Sequence, residues 1–130
     1  MLSVIFSALL LASPTVVEHS ADAFASVAEG HLRRALAGER PLEEFEDAHK
    51  NFDAAFLVAE DARYLCRALA VADLALVKVR FADEQTRLSW EETRRDDVER
   101  LRDDATEKQR GNCRFDATGK PPPPRVAALV

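Results

Sequence analysis

The histidines His19, His31 and His49 and the cysteines Cys66 and Cys113 are the side chains here best suited to hold a metal or act as nucleophiles. Glu46 and His49 form an E-x-x-H pair, which sets a carboxylate and an imidazole on one helix face, as in the two-metal carboxylate sites of helical bundles. Those sites take two such pairs and two further carboxylates, and the chain offers a single pair. His31 can approach His49 from a preceding helix, but two imidazoles without a fixed carboxylate make a poor metal site. Glu46 and His49 therefore read as polar residues at a helix boundary. Ser26 and Ser89 have no histidine and orienting acid beside them in the sequence, as hydrolytic catalysis would require. Nucleophile elbow, phosphate-binding glycine loop and haem-attachment motif are all missing. No C-x-x-C redox pair occurs either. These residues point to a protein that is not an enzyme and carries no cofactor or metal.

The elements that would position any such residues are helices. The chain has 130 residues, enough for one domain of ordinary size. Twenty-two are alanine, one is isoleucine and five are threonine, a balance that favours helix over sheet. Glycine is scarce and four of the six prolines form one run, Pro121 to Pro124, so a turn-rich fold is not expected. The formal charge of −5 lacks the basic face of a nucleic-acid-binding protein.

Leu2 to Ala12 is an uncharged run of eleven residues. It is too short to span a bilayer, which takes about 20 apolar residues. Its length fits the apolar core of an export signal, although no basic residue precedes it. Cleavage could follow Ala12, or Ala25 at the end of the small-x-small triplet Ala23-Phe24-Ala25. The organisation expected is a leader over 1–25, a helical domain over 26–111 and a proline-rich tail over 112–130. Loss of the leader would remove Glu18 and Asp22, reduce the charge to −3 and leave no membrane span.

Four helices follow from spacing and caps. The first is expected from Ser20 to Ala37, with Phe24, Val27, Ala28, His31, Leu32, Ala35 and Leu36 as its apolar stripe and Gly38 as its stop. Pro41 opens the second, which runs to Ala59 with Leu42, Phe45, Ala48, Phe52, Ala55, Phe56 and Ala59 on one face. Asp61 can cap a third helix extending to Phe81, apolar on nearly every side and so the most buried. Its second half, from Leu74, alternates enough to pass for a strand, but there is no second strand to pair with it.

Ser89-Trp90-Glu91-Glu92 has the form of a capping box and should start a fourth helix ending at Gly111. Between Asp83 and Arg110, 17 of 28 residues are charged, and the stripe is reduced to Trp90, Val98, Leu101 and Ala105. Glu91/Arg95, Asp96/Arg100 and Asp104/Lys108 are spaced as surface ion pairs on a solvated outer helix. The tail reads as a spacer, and its apolar end allows that the chain is the N-terminal fragment of a longer protein.

If the third and fourth helices fold back antiparallel about Leu88, Cys113 falls opposite position 63, within a turn of Cys66. Export and this register together point to a Cys66–Cys113 disulfide. Closing a 47-residue separation stabilises by about 4 kcal/mol in the chain-entropy model. A buried thiol at Cys66 with an unrelated Cys113 is the alternative.

The spacing Ala48-x3-Phe52-x2-Ala55 resembles the second helix of a tetratricopeptide repeat, where small and aromatic residues let two helices pack closely. The stretch from Glu60 to Leu76 resembles the first helix of a following repeat, and Ala82 lies one repeat length of 34 beyond Ala48. The resemblance covers about residues 27–82. An ordinary helical bundle would account for the same spacings. What the resemblance implies is a scaffold presenting a helical face to a protein partner, with Arg63 and Arg67 as candidate contacts and the outer helices as caps.

The expectation is thus an all-α, four-helix up-down array or set of tetratricopeptide-like hairpins, periplasmic or secreted, serving as an interaction or adaptor domain in the bacterial cell envelope. A disulfide-stapled bundle that binds a small ligand or metal is the alternative.

Overall fold

The computed structural model describes residues 14–104, with side chains from 16 to 103. It is all-α, with four helices: α1 Pro14–Leu36, α2 Pro41–Ala59, α3 Ala62–Lys78 and α4 Glu84–Asp104. The expected apolar leader core, Ala105, Asp104/Lys108, Cys113 and the proline run lie wholly or partly outside the described residues.

Local signals explain most helix ends. Gly38 takes φ 85°, and the amides of Gly38 and Glu39 donate to the carbonyls of Ala35 and Arg34, both at 3.0 Å. That paired return of two amides onto the last turn needs a left-handed residue, which glycine supplies without strain. Pro41 begins α2 as expected, and Glu43 and Glu44 sit in its first turn, where the helix dipole favours carboxylates. Asp61 caps α3 by accepting the Arg63 amide at 2.9 Å.

Three boundaries differ from expectation. Helix α1 starts at Pro14, six residues ahead of Ser20, because proline suits a first turn. Helix α3 ends at Lys78 rather than Phe81; Val79 turns to extended backbone at φ −82°, ψ 133°. Helix α4 begins at Glu84 because Asp83 provides the cap, accepting the Thr86 amide at 2.8 Å. Ser89, the expected cap, lies inside α4.

This earlier start shifts the hairpin. Asp73 on α3 and Arg94 on α4 are joined at 2.5 Å, which centres the α3–α4 pair between Asp83 and Glu84 instead of on Leu88. Leu101 consequently shares a cluster with Cys66, where the Leu88-centred register had placed Cys113 near it.

Side chains of α1 reach α2 and α3, and those of α4 reach the same two helices, so α2 and α3 form the central pair. Helix α3 is the most buried, with eleven of 17 residues inside. The larger core cluster has sixteen buried residues, nine of them alanine, and these let α1, α2 and α3 approach closely. α1 turns Ala21, Ala25, Ala28, Leu32 and Ala35 inward. Phe24, Val27 and Leu36 of the expected stripe stand 39–50% exposed instead, because the alanine face permits the closer packing. The stripe of α2 is as expected.

From α4, Trp90 joins the larger cluster, while Val98 and Leu101 form a second, small one with Ala62, Leu65 and Leu69 of α3. The rest of its attachment is polar. His49 Nε2 meets Asp97 Oδ2 at 2.5 Å, and the His49 ring stands edge-on to Trp90. Arg100 pairs with Asp53, and its guanidinium lies 5.1 Å over the Phe56 ring. So Arg100 reaches across to α2, and Glu91 pairs with Arg87 in place of the expected Arg95. No helix among the described residues is long and apolar enough to cross a membrane.

Candidate functional site

Two concave surfaces lie at different places on the array. The first is a cleft of about 230 Å³ between α1 and α3, and it holds both candidate arginines. Asp22 and Glu29 are seven residues apart, two turns along one face of α1, and meet Tyr64 and Arg67 on α3. The Tyr64 hydroxyl donates to Asp22 Oδ1 at 2.7 Å. Burial, and then this bond, push the Tyr64 hydroxyl from 10.0 up to about 12. Arg67 pairs with Glu29 and places its guanidinium 5.9 Å over the Phe52 ring. Arg67 is thus a strut between α1, α2 and α3. Arg63 donates from Nε and Nη2 to Asp61 at 2.9 and 2.7 Å, which holds the Asp61 carboxyl below its usual range. Its side chain is 78% exposed at the cleft mouth and remains open to a partner.

Tyr64→Phe should cost about 1.5 kcal/mol, the lower end for a bond to a charged group, read as a fall in urea midpoint. Because folding raises the Tyr64 pKa, that contribution is whole below pH 10 and lost as pH rises through about 12. The gap between wild type and Tyr64→Phe should therefore narrow at high pH.

The second surface is an open groove of about 410 Å³ where the start of α2 meets the α3–α4 connection. Leu42, Val79 and Phe81 give it an apolar floor, and Lys78 and Arg80 stand exposed at its rim. Neither cation forms an ion pair among the described residues. Val77, 71% exposed, and Leu88, 47% exposed, lie at the same end of the array. Sequence reasoning missed this groove, because it assigned Val79 to Phe81 to the buried helix. The signal was present as Val77 and Val79, β-branched residues beside the helix end.

Two of the three histidines take structural partners, while His19 is exposed on α1. His49 is paired with Asp97, whose burial pushes its carboxyl up, and Glu46, one turn before it on α2, stays exposed. His31 Nδ1 lies 2.7 Å from Glu44 and 3.0 Å from Arg34 Nη2. Arginine only donates and an ionised carboxylate only accepts, so the proton on this nitrogen decides which contact is a hydrogen bond. The His31 contact, first among its causes, holds the Glu44 carboxyl below its usual value. Among the described residues no three His, Cys, Asp or Glu side chains converge as metal ligands. Ser26 is exposed beside the cleft and Ser89 is exposed on α4.

Compared with protein-family models, curated proteins and solved structures, the chain matches none.

Proposed function

We propose that this chain is a non-enzymatic interaction domain, exported to the cell envelope, that docks a protein partner as tetratricopeptide scaffolds do. The observation that carries this reading is the open groove with an apolar floor and a rim where Lys78 and Arg80, unpaired among the described residues, stand with Glu43 and Asp83. Its chemistry suits an extended or helical segment of a partner that is apolar along one side and acidic at one end. Arg63 at the α1–α3 cleft is a second contact, while Arg67 is committed within the fold.

A photo-crosslinking residue placed at Val77 or Phe81 in cells should give one adduct of discrete mass. Lys78→Glu with Arg80→Glu should abolish it, and the same probe at exposed Glu92 of α4 should give none. Equal labelling from all positions, or none from the groove, would remove this reading. An adduct from Arg63 alone would move docking to the cleft.

Export through Leu2 to Ala12 belongs to the same proposal. Cleavage after Ala12 keeps Ala21, Asp22 and Ala25, which the core and the Tyr64 bond use; cleavage after Ala25 discards them. A Cys66–Cys113 disulfide is part of this reading, supported by Cys66 not standing as a free thiol. Intact mass of the chain expressed with its native N-terminus should be short by about 12 residues. Denaturing alkylation without reductant should add nothing. A full-length mass with two alkylated thiols would overturn both export and the pairing.

A further inference from the structure

We infer that α4 is a separately opening cover, which undocks about the Val79–Asp83 connection, within the reach that the proposed Cys66–Cys113 bond leaves it, and uncovers an apolar face of α2 and α3 while α1, α2 and α3 stay folded. Among the described residues its apolar hold is Trp90 at one end and Val98 with Leu101 at the other, whereas α1, α2 and α3 share fifteen of the sixteen residues in the larger cluster. Between and beside those anchors the joint is ionic: Asp73 with Arg94, Asp97 with His49, Asp53 with Arg100. Asp97 is 1% and Asp73 7% exposed, and Asp73 Oδ2 has no hydrogen-bond partner. In a buried joint of this kind the attraction roughly balances the loss of hydration, so it orients α4 more than it holds it. Opening returns these charges to water and offsets part of the lost contact. Helices α1, α2 and α3 have no comparable relief, since alanine, leucine and phenylalanine dominate their contacts. Segments held by few apolar contacts open first, below the free energy of global unfolding.

What opening uncovers is defined by what α4 covers. Phe56 of α2 and Ala62, Leu65 and Leu69 of α3 form an apolar strip, and Cys66 beside it is not a free thiol. Asp53, Asp73 and His49 lie along the same joint, so the uncovered face carries its own polar register.

Native-state hydrogen exchange on the full chain tests this. Amides in the second half of α4 should exchange at one common rate, at least tenfold faster than those of Phe52 to Ala55 and Ala68 to Ala72. Leu101→Ala should speed α4 exchange by a further tenfold or more and leave α1 and α2 rates within twofold. Exchange of α4 at the same rate as α2 and α3 would overturn the inference. So would Leu101→Ala accelerating all four helices equally. If that variant fails to fold, the rates of the unaltered chain alone decide the question.

Discussion

Phe52→Ala is expected to remove about 3–5 kcal/mol of stability, toward the upper end of that range, and to leave the chain largely unfolded at 37 °C. Phe52 is 1% exposed in the larger cluster. The loss exceeds the transfer term because a cavity remains unless neighbours move in. Here many of the neighbours cannot: Ala48, Ala55, Ala68, Ala72 and Ala75 share the cluster and have no side-chain torsion with which to fill space. Arg67 also loses the ring beneath its guanidinium. Phe52→Leu, which keeps much of the volume, should lose clearly less. Urea denaturation followed by helical circular dichroism measures both. A loss below about 1.5 kcal/mol for Phe52→Ala would mean that the alanine-lined interior yields more than its composition implies.

The second large effect concerns Asp73 and Arg94. Arg94→Met alone should lose about 3–5 kcal/mol, because it leaves the Asp73 carboxylate buried without its guanidinium. Asp73→Leu with Arg94→Met should recover that loss and finish at or above the parent stability, by up to about 4 kcal/mol. The orphaned Oδ2 of Asp73 is what tips the pair this way, since half of the carboxylate lacks a hydrogen bond even in the intact joint. The pH dependence follows the same logic. Burial holds the Asp73 carboxyl above its usual value, so its contribution to stability is whole at low pH and lost as pH rises through its folded pKa. Arg94→Met removes the main opposing influence and should therefore lose the most at neutral pH and progressively less as the buffer is acidified. A double variant weaker than the parent chain would show that the pair contributes net stability rather than orientation.

Helix count, helix order and the burial of α3 were legible because each rests on short-range signals. Pro41, Gly38 and Asp61 act within one turn of themselves, and the stripe of α2 repeats regularly. The inward face of α1 was not legible, since Phe24 and Val27 outrank alanine on any hydrophobicity scale. Only the close approach of α2 and α3 selects Ala21, Ala25 and Ala28. The start of α4 was misread because two caps compete: Asp83 binds the Thr86 amide, and the capping-box pattern at Ser89 goes unused. That six-residue difference between the caps moved the centre of the α3–α4 hairpin away from Leu88, from which the Cys66–Cys113 register was deduced. At the cleft, Arg63 and Arg67 were identifiable from their position on α3, but their roles depend on Glu29 and Asp61, one of them on another helix. Long-range pairs such as Asp22 with Tyr64 and His49 with Asp97 are set by helix packing, which spacing along one chain does not report.

The alanine-lined interior also changes where the entropy of folding is spent. A leucine or isoleucine loses about 0.5–1 kcal/mol of rotamer freedom on burial, and an alanine loses none. With nine alanines among its sixteen buried residues, the larger cluster is assembled with little side-chain ordering. The entropic cost of docking α1 falls on the backbone, and it is met largely when the helix forms. A helix that is already formed can therefore seat against α2 and α3 as a rigid rod, without waiting for side chains to find their rotamers.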